Sequence, residues 1–78
     1  MRMLDTGVYL DGRKLKRARV LHNDTHRSLS ERSGVSTSTI WMLESREVNS
    51  RFHPSTLNKL AQALEIEAAE LLGEEEDD

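Results

Sequence analysis

Apolar residues fall at helical spacing in five short stretches, each bounded by a capping residue, a glycine or a proline. In the first, Leu15, Ala18 and Leu21 share one face, while Arg13, Lys14, Lys16 and Arg17 cover the remainder. Asp11 is a good N-cap, and Leu10 and Leu15 stand where a hydrophobic staple pairs them. This predicts a helix over residues 11–22, ended by Asn23 in a left-handed conformation. Thr25 caps a second helix, with Leu29 and Ser33 four apart, and Gly34 stops it. Val35 fills the turn. Ser36 then caps a third helix, whose apolar pair is Ile40 and Leu43 and which runs to Glu44 or Ser45. Residues 46–53 have no period and read as a loop. Pro54 opens a fourth helix, where its missing N–H is not needed, and Leu57, Leu60, Ala61 and Leu64 form its stripe. Glu67 to Leu72 make a short fifth helix closed by Gly73.

No strand pattern of any length is present, and no internal repeat. The expected fold class is therefore all-α: a compact five-helix bundle with no sheet. Residues 11–72 form the domain. Residues 1–10 are an N-terminal arm without a clear period, in which Gly7 to Leu10 leave a short extended segment open. Residues 73–78 are an acidic tail that self-repels and buries nothing, and so is expected to be disordered.

The segment from His26 to Ser45 carries the most information. Two helices crossing steeply around a short turn need a small residue where they touch, which Ser30 supplies. They need a left-handed residue ending the first helix, which Gly34 supplies. Val35 plugs the turn, and Leu29, Ile40 and Leu43 complete a small core. Six slots filled together within 20 residues form a fairly specific signal.

Composition first pulls the other way. The chain has 78 residues, 36% of them apolar, and a formal net charge of −3. A negative total argues against phosphate binding. The charge is unevenly placed, however. Residues 1–64 hold all 11 basic residues against 6 acidic ones, a balance of +5, whereas residues 65–78 hold 8 acidic residues and no basic one. Local charge meets phosphates, so the objection is weak. The absence of cysteine excludes disulfides and a thiolate zinc site. No window approaches 18 consecutive apolar residues, which excludes a spanning helix, and the first residues do not read as a signal peptide. A cytoplasmic protein is the expectation.

At this point the sequence resembles a known family, the helix-turn-helix regulators of the lambda-repressor/Cro type. Leu15 to Arg19, Thr25-His26, Leu29 to Ser36, Ser38 to Ile40, Leu43-Glu44, His53 to Leu57 and Leu60 to Leu64 carry the resemblance, which spans roughly residues 11–72. It implies a lambda-repressor-like bundle, a transcriptional regulator and a homodimer, at least on double-stranded DNA. It also implies that residues 37–44 are the recognition helix, entering the major groove. Thr37 and Ser38, then Trp41 and Met42 one turn later, would face base edges. His26 would touch a phosphate or an adjacent base. Thr25 and Ser36 stand at helix N-termini, which favour phosphate oxygens. Arg46, Asn49 and Arg51 would reach the backbone from the loop, and Arg17 and Lys14 are the choices on the first helix. An ion pair between Arg19 and Glu44 would fix the third helix.

Some positions depart from the family pattern. The third helix often carries Gln, Arg or Lys, but residues 37–43 have neither a charge nor an amide. Hydroxyls, and apolar contact of Trp41 or Met42 with thymine methyls, must substitute. Asp24 replaces a usual apolar residue, Glu65 stands where glycine is usual, and the loop after the third helix is about two residues longer than common.

Plainer readings compete with several of these assignments. Trp41 as a core residue is disfavoured, because it lies about 100° around the helix from Ile40. Thr37 and Ser38 also serve as ordinary first-turn residues. His22, Asp24 and His26 have a metal-like spacing, but the break at Asn23 spoils a shared face, so no metal is expected. Nothing groups a nucleophile with a base and an orienter, so neither catalytic residues nor a cofactor is expected. The acidic tail is either a solubility feature or a competitor for the basic surface. A protein-interaction module of the same fold, antitoxin-like or an anti-repressor partner, is the alternative function. The neutral, Trp- and Met-bearing third helix favours it.

Overall fold

The computed structural model describes residues 7–74. In chain order it contains β1 (Val8–Asp11), α1 (Gly12–Leu21), α2 (His26–Ser33), α3 (Thr37–Glu44), β2 (Val48–Asn49), α4 (Pro54–Leu64), a 3-10 helix (Ala68–Leu71) and β3 (Leu72–Glu74). The four α-helices lie where the apolar periodicity places them, to within a residue or two at each end. Their caps explain the boundaries. Asp11 accepts from the amides of Arg13 at 2.9 Å and Lys14 at 3.3 Å. Thr25 and Ser28 cap each other reciprocally, both at 3.0 Å. The Ser36 hydroxyl accepts from the Thr39 amide at 3.2 Å. Asn23 at φ 62° and Gly34 at φ 80° take the left-handed conformation that ends α1 and α2.

An all-α, five-helix bundle without a sheet is not what forms. The three strands make one antiparallel sheet in the order β2-β1-β3. Leu10 pairs with Asn49 on one side of β1 and with Leu72 on the other. The segment expected as a fifth α-helix makes only a single 3-10 turn, Ala68–Leu71, before extending into β3. Gly73 therefore does not close a helix. It sits opposite Tyr9, and a Cβ there would fall 2.7 Å from the tyrosine ring. The arm and tail expectations change with it: Val8 to Leu10 and Gly73-Glu74 belong to the sheet, while residues 1–6 and 75–78 lie outside the described residues.

Among the described residues, seven large side chains are fully buried: Leu10, Leu15, Leu29, Ile40, Leu60, Leu64 and Leu71. Each contributes roughly 1.5–3 kcal/mol by leaving water. Every structural element except β2 and β3 supplies at least one, so the thin core ties these elements together. Leu21, expected on the buried face of α1, is 76% exposed. The helix turns its core side through Leu15 and Arg19 instead.

Candidate nucleic-acid interface

α2 and α3 meet around Gly34, Val35 and Ser36, with Val35 buried in the turn. Ile40 and Leu43 anchor α3 in the core. The opposite face of α3 is thereby committed to solvent. Thr37 and Ser38 are exposed, Trp41 is 63% exposed and Met42 45%. Trp41, together with Lys16, His26 and Glu44, borders a cleft between α1, α2 and α3. Lys16 escaped the sequence reading because the cations of α1 point all around the helix, and only packing shows which one neighbours Trp41.

One polar constellation fixes α3 against α1 and α2. Arg19 is a fork: its Nε donates to Glu44 Oε2 at 2.7 Å and its Nη2 to Glu44 Oε1 at 3.1 Å. Its Nη1 donates to the Asp24 carbonyl at 2.9 Å. The ion pair is nearly dry, with the two side chains 10% and 6% exposed. His26 Nε2 lies 3.0 Å from Glu44 Oε1 as well. One His26 nitrogen is thus occupied by the protein, and the ring's remaining edge is what a phosphate can meet. A bidentate pair of this kind adds geometric definition more reliably than net stability.

Asp24 belongs to a second constellation. Its carboxylate accepts from Ser28 Oγ at 2.6 Å, lies 2.9 Å from His22 Nδ1, and forms an ion pair with Arg32. Arg32 also donates to the Ala63 carbonyl of α4. Burial pushes the Asp24 carboxyl up, but the hydrogen bonds from Ser28, Arg32 and His22 and the Arg32 charge outweigh it, holding the group below its ordinary value of 3.8. The departure at Asp24 therefore joins the end of α1 to α2 and α4, rather than loosening them. Among the described residues no group of His, Cys, Asp and Glu has the geometry of a metal site.

The expected backbone-contacting residues divide into two sets. Thr25 and Ser36 lie at the starts of α2 and α3, with their hydroxyls used as caps, so first-turn amides rather than hydroxyls face an approaching phosphate. Arg46 and Arg51 are exposed and form no ion pair among the described residues. Asn49 is different. It is 4% exposed, and its amide donates to the carbonyls of Leu10 at 3.1 Å, Leu43 at 3.0 Å and Arg46 at 3.3 Å. A backbone-contacting role for Asn49 gives way to a structural one: it caps the end of α3 and joins it to β1. No local pattern signals this, since the three carbonyls converge only after folding. Lys14 and Arg17 lie apart from the cleft beside Trp41. Lys14 Nζ donates to the Leu72 carbonyl at 2.8 Å, and both residues line a separate groove on another flank of α1.

A family model described as helix-turn-helix matches residues 15–71. Among solved structures, the restriction-modification controller protein C.AhdI from Aeromonas hydrophila is similar. It shares 28% identity at a TM-score of 0.68, over 77% of this chain and 88% of that one. HEPD from Streptomyces albus, solved with 2-hydroxyethylphosphonate and Fe(II) bound, shares 28% identity at a TM-score of 0.69 over 77% of this chain. That match covers only 13% of HEPD. No curated protein sequence matches the chain.

Proposed function

The chain belongs to the lambda-repressor/Cro-type helix-turn-helix family of DNA-binding transcription regulators, and from that premise we propose that it binds particular double-stranded DNA sequences as a homodimer. α3 lies in the major groove of each half-site, the two half-sites being about one helical turn apart. Thr37, Ser38, Trp41 and Met42 meet base edges. Arg46, Arg51 and Lys16 hold the phosphates on either side, and the opening amides of α2 and α3 add two more anchor points. The protein works in the cytoplasm, performs no catalysis and needs no cofactor.

The observation that supports this most is the pairing of a rigid mount with a solvent-facing surface on one helix. Ile40, Leu43 and Glu44 are spent on holding α3, while the residues between them face outward. Selection of bound duplexes from a random pool, followed by a salt titration on the winner, is the test. An enriched motif with a steep salt dependence is expected. Recovery of no motif at moderate salt removes sequence specificity.

One observation favours a second reading, a protein-interaction module: α3 presents a tryptophan and a methionine to solvent. Tyr9 and Phe52 do not extend that patch, since both are half-buried. If a protein partner occupies α3, Trp41→Ala abolishes capture of that partner, and added duplex DNA competes with it.

A further inference from the structure

Away from α3, a groove of about 430 Å³ runs between α1 and the turn that follows α4. Leu64, 2% exposed, forms its floor, and Ala18, Leu21 and Ile66 its apolar sides. Leu21 stands out of it, 76% exposed, the most exposed large apolar side chain among the described residues.

The two walls of the groove differ in charge. The α1 wall carries Lys14 and Arg17, and the opposite wall carries Glu70, whose carboxylate accepts from the Glu67 amide at 3.3 Å; the sequence has no cation from residue 60 onward. Lys14 is tied to the Leu72 carbonyl, but the Arg17 side chain makes no hydrogen bond or ion pair among the described residues. A surface with an apolar centre, one basic edge and one acidic edge is complementary to itself. Turned by a two-fold axis, the Arg17 edge of one copy meets the Glu70 edge of the other, and the apolar lining between the edges, Leu21 included, is covered. The groove also lies on the far flank of α1 from the cleft beside Trp41. Lys14 and Leu21 stand about 140–160° around the helix from Lys16, and Arg17 about 100°. Pairing there leaves α3 open.

We propose that this groove is where two copies of the chain pair. The proposal rests on the homodimer reading above and specifies its surface. Sedimentation equilibrium of the full chain, without DNA, tests it. Leu21→Glu, which disturbs no buried contact, is expected to raise the dimer dissociation constant at least about tenfold. Arg17→Glu alone weakens the dimer similarly, and Arg17→Glu combined with Glu70→Arg restores it to within about threefold of wild type. If Leu21→Glu associates like wild type, the surface is wrong while the homodimer stands. If the wild-type chain is monomeric both free and on its selected duplex, surface and homodimer fall together. In that event the enriched motif from the selection still upholds DNA binding.

Discussion

At the scale of single residues, the neutral surface of α3 limits what it can recognise. Trp41 and Met42 gain by leaving water only against an apolar group, and the C5-methyl of thymine is the apolar group in the major groove of ordinary DNA. Replacing one contacted thymine by uracil in the selected duplex should therefore weaken binding by about 0.8 kcal/mol, roughly fourfold, measured by titration. Unchanged affinity with uracil at every thymine of the site would exclude methyl reading. Glu65 shows a different residue-level effect. It ends α4 at φ 60°, a conformation that costs a residue with a side chain about 1 kcal/mol. Its exposed carboxylate lies 3.9 Å from His22 and offers little in return. Glu65→Gly should raise the urea midpoint by an amount equivalent to roughly 0.5–1 kcal/mol.

Among the elements, α1 and α3 meet more closely than their sequences suggest. A Cβ on Gly12 would run into the carbonyl oxygens of Leu43 and Arg46, and the Gly12 amide donates to the Glu47 carbonyl at 3.2 Å. Neither backbone can yield without moving α3. Gly12→Ala is expected to cost about 2–3 kcal/mol in urea unfolding, and a loss within error shows that α3 can shift freely. The four α-helices were legible because capping residues and a 3.6-residue period are local signals. The Asp11, Thr25, Ser36 and Gly34 boundaries all follow from side chains within a few positions. The strands were not legible for the opposite reason. Val48-Asn49 and Leu72 to Glu74 are too short to show alternation, and they are extended because β1 offers hydrogen bonds from far away in sequence. Glu67 to Leu72 has helical spacing, yet pairing of Leu72 to Glu74 with the other edge of β1 ends its helix after one turn. In the candidate interface, Trp41 and Met42 were readable from the angle between them and Ile40. Asn49 and Lys16 were not, because their surroundings come from three or more elements.

For the whole molecule, the balance of charge matters less than where it is clamped. Asp24 connects the end of α1, the start of α2 and, through Arg32, the end of α4. Its carboxyl titrates below 3.8 in the folded chain and near that value when unfolded. The sign follows: the unfolded state takes up the proton first, so this stabilisation is complete above about pH 5 and is lost as the pH falls through the folded value. Urea midpoints followed downward from about pH 5 should drop, and Asp24→Asn should be less stable at neutral pH but show a shallower drop. An equally steep acid limb in Asp24→Asn would assign the acid sensitivity elsewhere.

The central position of β1 sets the order in which the molecule opens. Val8 pairs with Glu74, so the sheet closes nearly the whole described chain into one loop, at a high cost in chain entropy. Helices α1 to α4 form from near neighbours, whereas this closure must wait for them. The sheet should then behave as its own cooperative unit, and the amides of Tyr9, Leu10 and Leu72 should exchange with deuterium faster than the core amides of α1 and α4. Equal protection of both sets would mean a single all-or-none unit. Because Asn49 holds the end of α3 partly through the Leu10 carbonyl, each opening of the sheet also loosens α3. The rate of that breathing then sets an upper limit on how long α3 stays aligned.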